Sequence, residues 1–249
     1  MKQKWRWLKN QDLFKHCYAL LNRFLVMRGI TPPFIGDQIS SWESRVYDID
    51  TTPYTKIEDS VPMMFADLLP VLPRSAEIME IGCNAGRILD YLMQQGYTHL
   101  SGIEINENTV HIIMKEVFPD LYAQGQFFVG NAAEVIKTLP DKSYDLVYVH
   151  SVLIHIPPEH RSLFKDMYRI SRKYIVVLSQ NIVAYDYAYD IRKIFERLGC
   201  KEIVCRTFYG NSWDGAKDER FRYRLPQEIY EKEKYFLNTW SLRIFIKKC

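Results

Sequence analysis

Two hydrophobic periods alternate along most of this chain, and their order is the first structural statement it makes. Short apolar runs at 77–81, 100–105, 126–129, 144–149, 174–178, 202–208 and 241–246 have the length of strands. Between them lie stripes at helical spacing: Ile88/Leu89/Leu92/Met93, Val110/Ile113/Met114/Val117, Leu163/Phe164/Met167/Ile170 and Ile191/Ile194/Phe195/Leu198. Strand and helix in strict turn predict an α/β fold, a mostly parallel sheet with helices on both faces, because each crossover helix must bury its stripe on the sheet it spans. Gly199, directly after Leu198, is a helix stop. The last run interleaves polar residues and is placed as an antiparallel strand. No internal repeat or low-complexity segment interrupts the pattern.

The first 70 residues break this rhythm and are read as an extension, with 71–249 as the main domain and 209–240 as an insertion within it. Residues 1–30 hold Lys2, Lys4, Arg6, Lys9, Lys15, Arg23 and Arg28 against Asp12 alone, a local charge of +6 in a chain whose total is +3. Trp5, Trp7, Phe14, Tyr18, Leu21 and Leu25 fall at helical spacing, so a basic amphipathic helix is predicted. Such a helix packs on the domain or docks on a membrane surface, and the former is the commoner use of an apolar stripe. Asn22-Arg23 interrupts the apolar run and no small-residue cleavage site follows, which argues against a signal peptide. Residues 31–36, with Pro32 and Pro33, are expected to end the helix and act as a linker.

Composition narrows the class. An apolar content of 47% and a charged content of 25% over 249 residues are those of a globular protein with a full two-faced core. The small net charge gives no footprint for nucleic acid. Cysteines 17, 83, 200, 205 and 249 are scattered and odd in number, which predicts neither a disulfide framework nor structural zinc and fits a reducing cytoplasm. No apolar run is long enough to span a bilayer, and no carboxylate–histidine group has metal-ligand spacing.

The chemistry is concentrated in Glu80-Ile81-Gly82-Cys83-Asn84-Ala85-Gly86 and Gly102-Ile103-Glu104-Ile105-Asn106. A strand runs into a loop with glycines at 82 and 86, and a helix follows at once. Glycine admits close approach of a ligand, and the first helical turn offers free N–H groups to an anion. About 20 residues on, Glu104 is placed to accept hydrogen bonds from two ribose hydroxyls. The loop reads E-x-G-x-x-x-G, with Asn84 where a pyrophosphate needs a glycine, which argues against NAD or FAD.

This loop resembles the first motif of class I S-adenosylmethionine-dependent methyltransferases, a Rossmann-like family with a seven-stranded sheet. Gly130-Asn131-Ala132 after the third strand, and Tyr144-Asp145-Leu146-Val147-Tyr148-Val149-His150-Ser151 continuing to His155, resemble its later motifs in order. The resemblance implies S-adenosylmethionine as cofactor, with Glu80, Gly82, Cys83, Asn84, Gly86, Glu104, Ile105, Asn131, Ala132 and His150 as binding residues. The small side chain of Cys83 suits a tight turn. Ser171-Arg172-Lys173 stands where most relatives have a Gly-Gly turn. The runs 102–108 and 152–158 also resemble methyltransferases of pseudaminic-acid and surface-polysaccharide biosynthesis.

A methyl acceptor with a hydroxyl needs a base, and candidates belong at the carboxyl ends of the strands. His155 is the best placed, since an imidazole titrates near neutrality, with Asp186 as the alternative. Tyr185-Asp186-Tyr187-Ala188-Tyr189-Asp190 interleaves aromatic faces and carboxylates, which suits a sugar. The leading expectation is methyl transfer to a small polar acceptor, a hydroxyl of a sugar or glycan precursor. A lipid or quinone methyltransferase at a membrane surface is the second reading, reached through peripheral contact of residues 1–30. A non-catalytic scaffold is the third, disfavoured because Gly82, Gly86 and Glu104 have no evident structural need to occur together.

Overall fold

The computed structural model describes residues 12–33, 35–47, 49, 53–56, 60–180, 187–209 and 239–248. Seven strands form one sheet: β1 (Ile78–Ile81), β2 (Leu100–Glu104), β3 (Gln126–Val129), β4 (Tyr144–His150), β5 (Ser171–Gln180), β6 (Cys200–Tyr209) and β7 (Thr239–Lys247). Their order is β3-β2-β1-β4-β5-β7-β6. The pairs β3·β2, β2·β1, β1·β4 and β4·β5 are parallel, and β7 lies antiparallel between β5 and β6. This is the Rossmann-like class I methyltransferase fold, and the last strand has the expected direction. It is inserted between its neighbours, so that β6 and not β7 ends the sheet.

Both faces are covered, as the alternating periods require. One face packs Ile88, Leu89 and Leu92 of the helix Arg87–Gln94 and Met64 and Phe65 of the helix Ser60–Phe65 against Ile78, Tyr148, Val176 and Leu242. The other packs Leu163, Phe164, Met167 and Ile170 of the helix Ser162–Ile170 and Ile191 and Phe195 of the helix Ile191–Arg197 against Met79, Val147, Ile175 and Phe245. Gly199 has φ 98°, the left-handed conformation expected of a helix stop. In place of a Gly-Gly turn, β5 begins directly at Ser171, whose hydroxyl donates to the Tyr174 carbonyl, and a register shift opposite Tyr144/Leu146 absorbs the difference.

The amino-terminal helix, α1 (Asp12–Met27), differs from expectation in phase. Its buried side chains are Tyr18, Ala19, Asn22 and Val26, whereas Leu21, expected on the buried stripe, is 48% exposed. Packing selected the face: Ala19 permits close approach to the domain, and the Tyr18 hydroxyl donates to the Pro33 carbonyl. The helix also ends earlier than the prolines would demand. Gly29, at φ 80°, donates to the Val26 carbonyl, and Ile30 donates to that of Leu25.

Candidate active site

Register places the loops that follow β1, β2, β3 and β4 side by side. Ile81 of β1 lies opposite Ile103 of β2 and Val149 of β4, and Glu104 lies opposite Val129 of β3. The segments 82–86, 104–106, 130–132 and 150–155 therefore leave the sheet at one edge. The chain turns to opposite sides from β1, so the crevice between β1 and β4 is the topological switch point at which open α/β sheets bind ligands.

The loop after β1 is sharply wound. Gly82 (φ 73°), Asn84 (φ 48°) and Gly86 (φ 86°) are all left-handed, and Asn84 tolerates this by accepting from the Ala85 N–H through its own Oδ1 at 2.8 Å. A Cβ at Gly82 would lie 2.4 Å from Val152 Cγ2, and one at Gly86 2.7 Å from Leu121 Cδ2. Gly102 beneath the loop is equally constrained, since its Cβ would lie 2.6 Å from Cys83 Sγ. Burial, followed by the charges of Glu80 and Glu104, pushes the Cys83 thiol well above its usual range, so the side chain fills space and is not reactive.

Glu104 ties two of these loops together. Its Oε2 accepts from the Asn84 N–H at 2.8 Å and its Oε1 from the Asn106 N–H at 2.9 Å. Each oxygen keeps capacity for a further donor. These contacts correct the expectation that Gly82, Gly86 and Glu104 have no common structural role: steric fit fixes the glycines and Glu104 fastens their loop. Glu80 lies deeper, where the Tyr148 hydroxyl donates to its Oε2 at 2.7 Å.

Burial dominates the electrostatics. It raises the Glu80 carboxyl well above the ordinary range, against the hydrogen bond from Tyr148 and the charge of Arg87. It raises Glu104 too, against the N–H donors of Asn106, Asn84 and Ile105. His150, at the end of β4, is pushed down to about 3, by burial first and by Arg87 second, so its imidazole is neutral at physiological pH. A carboxyl raised in the folded state binds its proton more tightly there than in the unfolded chain. Free of ligand, these two carboxyls therefore contribute stability that grows as pH falls from the raised values toward about 4.3, the unfolded carboxylate value, and is lost as pH rises through that window, while His150, held low, contributes in the opposite sense below about 6.5. Thermal melts of the native protein and of Glu104→Gln between about pH 5 and 7.5 isolate the Glu104 contribution: the stability of the native protein relative to the variant should fall as pH rises.

The remaining candidates separate. Asn131 ends β3 as the cap of the short helix Ala132–Val135, its Oδ1 accepting from the Ala133 N–H at 2.9 Å. Ile105 and Ala132 are half-buried at the same edge. His155 sits on the single turn Leu153–His155 after β4, its backbone N–H donating to the Val152 carbonyl. Asp186 lies outside the described residues, as does 210–238 of the insertion. Three residues of the supposed sugar platform are used otherwise. Tyr187 and Tyr189 are buried in the core, Tyr189 donating to the Ile156 carbonyl at 3.0 Å. Asp190 caps the following helix and pairs with Arg23 at 3.0 Å. Alternation of type in sequence did not become alternation of exposure, because this segment packs on Phe164 before its helix starts. Among the described residues no group of three or more His, Cys, Asp and Glu side chains is arranged to hold a metal.

Sequence reasoning missed what covers this edge. The short helix α2 (Gln38–Glu43), capped by Asp37, and the segment after it fold onto the loops. Asn106 Nδ2 donates to the Trp42 carbonyl at 3.1 Å and to that of Arg45 at 2.6 Å. The Trp42 ring lies 5.1 Å from His155 and 6.4 Å from Tyr54, and Tyr47 lies 5.4 Å from Tyr54. Tyr47 neighbours Arg45 and Asn84, and its phenol is pushed up by burial. Arg87 donates to the Lys56 carbonyl at 3.2 Å. Trp42, Tyr47 and Tyr54 within thirteen residues of an otherwise polar segment were the available signal.

Residues 79–176 match the family described as "Methyltransferase domain". A phosphoethanolamine N-methyltransferase of Triticum aestivum is 30% identical over 105 residues, which are 41% of this chain and 20% of that protein. The chain thus spans about a fifth of that relative's length. Among solved structures, a putative sarcosine dimethylglycine methyltransferase from Galdieria sulphuraria is similar with a TM-score of 0.59 at 15% identity, over 76% of this chain and 85% of that one. Magnesium protoporphyrin IX methyltransferase from Synechocystis PCC 6803, solved with bound SAM, gives 0.52 at 19% identity, over 76% of each chain. At such identities the likeness is one of fold. Fold and loop order agree with that match: residues 79–176 are similar to a methyltransferase domain and are carried on a fold shared with S-adenosylmethionine-dependent methyltransferases.

Proposed function

We propose that this chain transfers a methyl group from S-adenosylmethionine to a small polar acceptor, with a hydroxyl of a sugar or glycan precursor as the first acceptor to test. The observation that carries the reading is the Glu104 carboxylate, buried between the 82–86 and 104–106 loops with one backbone N–H on each oxygen and acceptor capacity left over.

S-adenosylmethionine supplies, when bound, an electrophilic methyl group on a positively charged sulfur. Glu104 would accept from its ribose hydroxyls, the wound loop from Gly82 to Gly86 would take its amino-acid tail, and Asn131 and Ala132 would flank its adenine. His150, held neutral, adds no second positive charge to this edge. His155 would take the proton of a hydroxyl acceptor, and the segment carrying Trp42 would exclude water, so that positioning supplies most of the rate.

A second reading is an amine acceptor. The wheat relative is named for phosphoethanolamine, and the aromatic faces of Trp42, Tyr47 and Tyr54 suit a cationic nitrogen. Thermal shift with S-adenosylmethionine and with NAD tests the cofactor, and S-adenosylhomocysteine release with sugar nucleotides and with phosphoethanolamine tests the acceptor. Stabilisation by NAD alone would overturn the first; release with phosphoethanolamine and none with sugars would replace the hydroxyl reading by the amine one.

A further inference from the structure

Helix α1 is apolar on two opposite faces, and the domain uses only one. Tyr18, Ala19, Asn22 and Val26 are at most 5% exposed. On the far side, Cys17, Leu20, Leu21, Phe24 and Arg28 follow one another at spacings of three, one, three and four residues, which is a single helical stripe. Leu20 is 40% exposed, Leu21 48% and Phe24 54%. The Arg28 guanidinium lies 3.7 Å from the centre of the Phe24 ring, so the stripe ends in a cation held over an aromatic face. Three large apolar side chains thus stay about half exposed on one face of a helix whose other face is filled.

Charge selects the occupant. The stripe lies in the 30 residues that carry a net +6, while the remainder of the chain carries −3. An apolar stripe in the same stretch of sequence as a concentration of Lys and Arg is the chemistry of a segment that lies in the surface of an anionic bilayer, apolar side chains in the acyl boundary and basic ones at the headgroups. A neutral protein partner would not need that charge. Position agrees. Arg23 pairs with Asp190, Thr31 donates to Glu159 Oε2 at 3.4 Å, and Met27 packs with the cluster that holds Leu153 and Ile156. The helix is therefore attached to the segments that follow β4 and β5, at the edge of the sheet where the methyl-transfer loops emerge.

We infer that the Leu20/Leu21/Phe24 face of α1 docks the protein on an anionic membrane surface, with the methyltransferase edge beside the bilayer. The inference does not depend on which acceptor is methylated, and its test reads binding and not turnover. The full chain is sedimented with vesicles of phosphatidylcholine alone and of phosphatidylcholine with about 30% phosphatidylglycerol. Expected is partition onto the anionic vesicles only, weakened by about 0.5 M NaCl. The variant L21E/F24E should bind at least about 10-fold more weakly, since two side chains that would enter the acyl boundary become charged. It should keep the native melting temperature, because both positions face solvent. V71E, at a site 60% exposed outside this stripe, should bind like the native protein. Three results would overturn the inference: native protein left in the supernatant with anionic vesicles, undiminished binding by folded L21E/F24E, or a native dimer that L21E/F24E converts to monomer without lipid, which would assign the face to a second copy.

Discussion

Replacing Glu104 with alanine should raise the Kd for S-adenosylmethionine by about 30- to 1000-fold, equivalent to about 2–4 kcal/mol, the range for two lost hydrogen bonds to a charged acceptor. The loss has two parts. The carboxylate proposed to accept from the ribose is removed, and the N–H groups of Asn84 and Asn106 lose the oxygens that hold the loops in place. Glu104→Gln separates these parts poorly by design of the site: its amide NH2 must face one of two backbone donors, so it should lose nearly as much affinity as alanine. Calorimetric titration of each folded variant decides the matter. Native affinity in folded Glu104→Ala would place the ribose elsewhere.

His155→Ala should lower kcat by about 100-fold, with the Kd for S-adenosylmethionine within about threefold of native, if His155 removes a hydroxyl proton in the transition state. The contact with Trp42 makes a control necessary, because the same substitution withdraws a ring that packs on the covering segment. Trp42→Leu removes that packing and leaves the imidazole. A base predicts that Trp42→Leu keeps most of kcat, and that free imidazole restores part of the activity of His155→Ala but none of that lost in Trp42→Leu. Equal losses in the two variants, without rescue, would make His155 a prop for the segment and move attention to Asp186.

Much of the fold was legible because its determinants are local. Period and length alone distinguish Ile78–Ile81 from Arg87–Gln94, a glycine after Leu198 has few uses other than ending a helix, and a strand–loop–helix with Glu104 one strand later is a pattern of neighbours along the chain. The cofactor-binding candidates come together for the same reason: sheet register brings 82–86, 104–106, 130–132 and 150–155 to one edge without any decision that depends on distant packing.

Where sequence failed, the deciding contacts were long-range. The phase of α1 could not be read from Tyr18, Leu21 and Leu25, since two apolar stripes were available and only close packing at Ala19 chose between them. Tyr187 and Tyr189 looked like a ligand platform until burial beside Ile154, Ile156 and Phe164 claimed them. Trp42 and Arg45 reach Asn106 across more than sixty residues, a separation at which spacing carries no information. Sequence by itself determined the alternating elements, the loop chemistry and the charge of the first thirty residues. Tertiary structure alone decided that β7 enters the sheet between β5 and β6, that the amino-terminal segment closes over the site, and that one apolar face of α1 is left to solvent, because each of these depends on which surfaces meet and not on which residues are adjacent.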